Sequence, residues 1–125
     1  MCEYSKIKPE LQIAKHDIVV YKIGTLKRTL FGLRKRIISD IFQFKYKLGK
    51  VYHTRLDSPR LGRSGDYYES RGGFHSYYFR TSISKNSSRC VIRCIIPKGS
   101  CYYRYYWVGV TTCVSNKIKL IEILK

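Results

Sequence analysis

The run Cys101-Tyr102-Tyr103-Arg104-Tyr105-Tyr106-Trp107 sets one cation among tyrosines and a tryptophan. Exposed aromatic faces stack on nucleobases, and a guanidinium engages phosphate or stacks as a cation. The run therefore has the composition of a nucleic-acid or nucleotide site. If it is extended, Tyr103 and Tyr105 share one face, while Tyr102, Arg104 and Tyr106 share the other. Bringing Arg104 and Tyr103 or Tyr105 to one ligand requires a bend or bulge. Without it, Tyr102 and Tyr106 are the stacking partners of Arg104. The same alternation also suits plain burial of one side, with tyrosine hydroxyls left at the margin of a core. Tyr67, Tyr68 and Tyr77, with Arg71 and Arg80, are candidates for a second wall.

His75 follows a glycine pair and opens the aromatic stretch Phe74-His75-Ser76-Tyr77-Tyr78-Phe79. An imidazole titrating near neutrality can move protons, or bind phosphate when charged. With Glu69 and Tyr77 it outlines a small nucleotide-processing enzyme. Ser76 points away from His75 in a regular strand, so nearness in sequence does not make a pair. The serine-elbow, P-loop and dinucleotide glycine patterns are absent, and no catalytic residue is assigned.

Cys90, Cys94 and Cys101 invite comparison with a zinc site. Their spacing lacks the close Cys-x-x-Cys pairs of common structural sites, and residues four apart on a strand are far apart in space. Reduced thiols, no metal and no cofactor are the expectation. The segment shows no secretory signal and no apolar run long enough to cross a bilayer. An intracellular, cytoplasmic setting follows as the default, in a host cell if the gene is viral.

A formal charge of +17 over 125 residues favours anionic partners. The excess is spread over both halves of the chain, and Arg34, Lys35 and Arg36 form its densest run. They are the candidate phosphate contacts.

The elements that must position these groups are mostly strands. Residues 17–23, rich in β-branched and aromatic side chains, read as a strand ending at Gly24, with a second strand over 25–31. Leu33, Ile37, Ile41 and Phe44 fall at helical spacing, which predicts a short helix or irregular segment through about Asp40 and then a strand ending before Gly49. Residues 50–54 extend again. Residues 55–73, with Pro59, Gly62, Gly65, Gly72 and Gly73, have loop composition. Strands follow at 74–79 and 90–96, the latter stopped by Pro97-Lys98-Gly99-Ser100. Residues 101–110 make another, which 111–114 either continue or turn away from. Residues 117–124 form the last strand, in the same sheet as 90–96. Burial of the Ile95 face is expected, and if that face is buried an aspartate there severely destabilises the domain.

GGFHSYYF (72–79), VIRCIIPKGSCYY (91–103) and VSNKIKLIEIL (114–124) together resemble small uncharacterised accessory proteins of bacterial viruses and bacteria. In these, a Gly-(Phe/Ile)-His-x-(Phe/Tyr) element precedes an IPKGS-x-YY strand and turn, and a terminal strand completes the unit. The resemblance covers under half of the chain. It implies a compact accessory domain and carries over no site residues.

The resulting expectation is one basic domain over 1–125, with 1–16 irregular. It is mainly β or α+β, a mixed antiparallel sheet or partly open small barrel with one short helix. The expected function is non-enzymatic binding of nucleic acid or a small anionic nucleotide. Arg104, Tyr102, Tyr103, Tyr105, Tyr106, Arg71, His75 and Tyr77 are the ligand-binding candidates. The second class is a virus-encoded interaction or inhibitor protein docking an acidic host protein through tyrosine and arginine anchors.

Overall fold

A computed structural model describes residues 4–5, 8–28, 35–39, 45–62, 65, 68–80, 89–107 and 110–124. Among these, every regular element is a strand. In chain order they are β1 (Tyr4–Ser5), β2 (Gln12–Ile13), β3 (Ile18–Arg28), β4 (Lys35–Ser39), β5 (Lys45–Tyr46), β6 (Val51–His53) and β7 (Leu56–Leu61). There follow β8 (Tyr68–Gly72), β9 (Phe74–Tyr77), β10 (Arg89–Ile96), β11 (Cys101–Trp107), β12 (Val110–Ser115) and β13 (Lys117–Ile123).

A ten-stranded sheet runs β2-β11-β12-β9-β3-β10-β13-β6, with β4 attached to β3 and β5 to β4. A three-stranded sheet runs β1-β8-β7. All pairings are antiparallel. The large sheet ends on β2 and β6, which do not meet, so it is an open sheet and not a closed barrel. No described helix is long and apolar enough to cross a membrane.

Directly opposed residues of antiparallel strands lie on the same face, so the register fixes what each face presents. One face carries Ile18 and Val20 of β3, Cys90, Ile92, Cys94 and Ile96 of β10, Ile118 and Leu120 of β13, Phe74, Tyr102 and Cys113. With Ala14 these make the main core. As expected, β10 and β13 lie in the same sheet, where they pair directly. The buried side of β10, however, is that of Ile92, Cys94 and Ile96; Ile95 is only half buried, opposite Lys119. The expected burial of Ile95 is corrected by one residue, since both parities of this strand are apolar enough to be a core face. On the other face, Tyr103, Tyr105 and Val114 form a second cluster with Leu56 of β7. The small sheet thus packs on the outside of β11 and β12, and Asp57 of β7 accepts the Tyr103 hydroxyl through its carbonyl at 3.4 Å.

Three expected elements are different. β3 runs through Gly24 without turning and pairs with both β10 and β4 there. Where the expected helix falls on described residues it is instead strand β4: helical spacing over so short an apolar run does not distinguish it from a strand, and Ile37 and Ile38 pair with Leu26 and Thr25. The expected strand that follows has only Lys45–Tyr46 within the described residues. The expected loop 55–73 contains the antiparallel pair β7–β8. Its register shifts between Asp57 and Arg60, and the buried Pro59 sits in that irregularity, where no ladder donor is required of it.

Gly72 and Gly73, with φ of 65° and 79°, carry the chain from the small sheet into the large one. The Gly73 amide donates to the Arg55 carbonyl at 3.0 Å. A β-carbon at Gly73 would stand 2.6 Å from Val114 Cγ1 and 2.7 Å from Leu56 Cδ1. The crossing is closed to any side chain. The segment expected to be irregular, 1–16, contributes β1 and β2, and its Ala14 exchanges backbone hydrogen bonds with Gly99 and Ser100 of the turn after β10.

Candidate nucleic-acid interface

β11 and β12 pair residue for residue from Tyr102 opposite Ser115 to Trp107 opposite Val110. That unbroken register contains no bulge, so the faces predicted by alternation are the faces observed. Tyr103 and Tyr105 point into the outer cluster, both fully buried, with ring centroids 5.5 Å apart and planes at 71°. Rings with no exposed face cannot take a base between them. Their candidacy as stacking residues is corrected: they hold the two sheets together.

Arg104 lies on the opposite face with Tyr102 and Tyr106. These three residues grade from core to solvent. Tyr102 is 7% exposed, packs in the main core and donates its hydroxyl to Gln12 Oε1 at 3.1 Å. It supports Arg104, whose Cζ is 5.9 Å from its ring centroid, more than it offers a free surface. Arg104 is exposed, and Tyr106 is 67% exposed at the outer end of the row.

The second wall comes from the chain beyond β9. Tyr78 donates its amide to the Thr111 carbonyl at 2.9 Å, which holds it beside the Tyr106–Thr111 pair. Its ring lies 4.5 Å from Arg104 Cζ, within cation–π range. Phe79 meets Tyr78 edge to face at 5.0 Å and is itself 68% exposed. Arg80 follows, also exposed. The assembled rim is Arg104, Tyr106, Tyr78 and Phe79, with the exposed Arg80 next in the chain.

Tyr78 and Phe79 take the place expected of Tyr77. Tyr77 stands opposite Thr112 and Tyr21, on the face turned away from Arg104, and is half buried. The sequence signal for the correct residues was present in Tyr77-Tyr78-Phe79-Arg80, but aromatic residues fill both parities there. Only the pairing with β12 separates them.

His75 faces Val114, also away from Arg104. Its Nδ1 is buried without a hydrogen-bond partner among the described residues, and its backbone carbonyl accepts from Lys22 Nζ at 2.5 Å. Burial, reinforced by the Lys22 charge, lowers its pKa to about 4. The imidazole is neutral at pH 7 and brings no positive charge to a phosphate. The enzyme constellation is divided as well, because Glu69 lies on β8 in the small sheet, opposite Tyr4 and Arg60. Arg71 is also on β8 of the small sheet, in register with Asp57. Tyr67 and Arg34 lie outside the described residues. Lys35 and Arg36 belong to β4.

Two of the thiols are poorly disposed to react. Cys113 stands directly across from Arg104, yet burial pushes its pKa up to about 11 against the pull of that charge. Burial drives Cys94 higher, to about 12. Both are protonated near neutral pH. Among the described residues no group of His, Cys, Asp and Glu is placed to hold a metal ion.

No family model, curated protein or solved structure matches this chain. Its function has to be read from its own geometry. An exposed guanidinium set against a tyrosine ring, with two further exposed rings and a second exposed arginine next in the chain, presents flat apolar faces next to fixed positive charge. Such a surface accommodates a planar ring attached to a phosphate.

Proposed function

We propose that this protein binds nucleic acid, or an anionic nucleotide, without acting on it chemically. The base stacks on the exposed ring of Tyr106 or Phe79, and Arg104 meets the phosphate while held against Tyr78. One observation carries the reading: Arg104 lies 4.5 Å from the Tyr78 ring on the same side of the sheet as the 67%-exposed Tyr106. A guanidinium positioned in advance loses less side-chain freedom when it binds. The charge of +17 supplies long-range attraction to a phosphate backbone.

The test is anisotropy of labelled single-stranded oligonucleotides, with mononucleotides and cyclic nucleotides as competitors, at low and moderate salt. Tyr106→Ala should weaken binding by about 1–3 kcal/mol, as loss of one stacked base does. Arg104→Ala should weaken it and flatten its salt dependence. Folded variants that bind like wild type would remove the rim from consideration. If wild type binds none of these ligands at low salt, docking of an acidic protein on the same aromatic rim replaces this reading.

A further inference from the structure

The two most exposed rings of the rim stand on different flanks of β12. Tyr106 belongs to β11 and is opposite Thr111 of β12. On the other flank the Thr111 carbonyl accepts the Tyr78 amide, and Phe79 follows Tyr78 in the chain. The backbones at Tyr106 and Tyr78 are thus two strand spacings apart, about 10 Å. Consecutive residues of a regular strand point to opposite faces. Tyr78 and Phe79 do not: the chain bends as it leaves β9, and their ring centroids are 5.0 Å apart. The bend keeps the 68%-exposed Phe79 ring beside Tyr78 instead of sending it through to the far face.

Arg104 bridges the gap between these flanks. It starts from β11, opposite Cys113 of β12, and its Cζ comes to 4.5 Å from the Tyr78 ring centroid. Tyr78 is itself packed against the main core, which anchors that end of the contact. Arg55 and Arg93 are paired with Asp57 and Glu122. Among the described residues no carboxylate pairs with Arg104. Its charge is held in place by aromatic rings and is left for an anion from outside.

We propose that the rim takes one dinucleotide step of a single strand: one base on Tyr106, the next on Phe79, and the phosphodiester that joins them on Arg104. The proposal rests on the rim reading and names its ligand class. In a duplex the neighbours of every internal base cover both its faces, so only unpaired, splayed bases can lie on these rings. A mononucleotide has one base and fills one ring. None of the four rim side chains carries an amide or a carboxylate to read a base edge, so the step is bound whatever its sequence.

The discriminating ligands are the dinucleoside monophosphate d(TpT) and dTMP, titrated calorimetrically into the full chain at low salt. The diester d(TpT) carries a single negative charge, whereas the monoester of dTMP carries about 1.5–2 at pH 7. Attraction by net charge alone ranks dTMP first. A second stacked base reverses that order, and d(TpT) should bind about tenfold more tightly. Phe79→Ala and Tyr106→Ala should each weaken d(TpT) by about 5- to 100-fold and erase its advantage over dTMP. Phe79→Leu and Tyr106→Leu keep apolar bulk without a flat ring, and should behave like the alanine variants. All four changes are at exposed positions, so thermal melts close to that of wild type are expected and establish that the variants are folded. A short oligo-dT strand should also outcompete the same strand paired with oligo-dA, although the duplex has the denser charge. If d(TpT) binds no more tightly than dTMP while Arg104→Ala weakens both, the dinucleotide step falls and the rim stands. Loss from only one of the two ring positions, or a duplex that binds as tightly as the strand, overturns the step likewise. If wild type binds neither ligand, or if Arg104→Ala and both ring variants bind like wild type, the step and the rim fall together.

Discussion

Arg104 of β11 and Tyr78, just past β9, come together across β12, with the guanidinium carbon 4.5 Å from the ring centroid. The contact is set by backbone pairing on both sides of β12. Arg104 is fixed opposite Cys113, and the Tyr78 amide is fixed on the Thr111 carbonyl. At an exposed site a cation–π pair contributes about 0.5–1 kcal/mol. A double-mutant cycle of Arg104→Ala and Tyr78→Ala, read from denaturant unfolding, should return a coupling of that size. Additive effects would mean that Arg104 is not held by the ring.

Tyr105 and Tyr106 are neighbours in sequence with opposite fates. Tyr105 is fully buried in the cluster under the small sheet, and Tyr106 is 67% exposed. Truncating a buried aromatic leaves a cavity and costs about 3–5 kcal/mol, so Tyr105→Ala should remove a large share of an ordinary stability of about 5–15 kcal/mol. Tyr106→Ala should change stability by no more than about 0.5 kcal/mol. Thermal melts of the two variants decide the matter, and the reverse ranking would mean that the faces of β11 are misassigned.

Gly73→Ala and Gly99→Ala separate two kinds of glycine requirement. Both positions have positive φ, at 79° and 87°. A β-carbon at Gly99 meets nothing within 4 Å, whereas one at Gly73 runs into Val114 and Leu56. Gly99→Ala should cost only the left-handed backbone penalty, about 1–2 kcal/mol. Gly73→Ala should cost clearly more, because the two sheets must also separate. Equal losses of unfolding free energy would argue against tight packing at the crossing.

His75 makes stability depend on pH. Its folded pKa of about 4 lies below the ordinary value of 6.5, for reasons of burial and then the Lys22 charge. Between these values the unfolded chain holds the extra proton, so unfolding is favoured as pH falls. The contribution is complete above about pH 6.5, is lost on descending toward pH 4, and changes no further below that. Its ceiling is about 3 kcal/mol, reduced by the partial exposure of the ring. His75→Gln should flatten the stability profile across this window. An unchanged profile would show that His75 titrates normally.

Much of the architecture was legible because short-range physics wrote it. Alternating β-branched residues at 90–96 and 117–124 favour strands in any surroundings, and Pro97-Lys98-Gly99-Ser100 stops a strand by its own backbone preferences. The aromatic–basic character of 101–107, and the parity that separates Tyr103 and Tyr105 from Arg104, follow from covalent geometry alone. What the sequence left open were choices between near-equal local options. Apolar residues occupy both parities of β10, so packing selected the Ile96 side over the Ile95 side. Aromatic residues occupy both parities around Tyr77 and Tyr78, so pairing with β12 selected Tyr78. Ile37 and Ile38 suit a helix or a strand, and β3 supplied the partner that made β4. The glycines and proline of 55–73 look like a loop locally, yet they provide the irregularity at Pro59 and the sheet crossing at Gly73. Each of these outcomes depends on a contact distant in sequence, whose energy enters only once the strands are laid side by side.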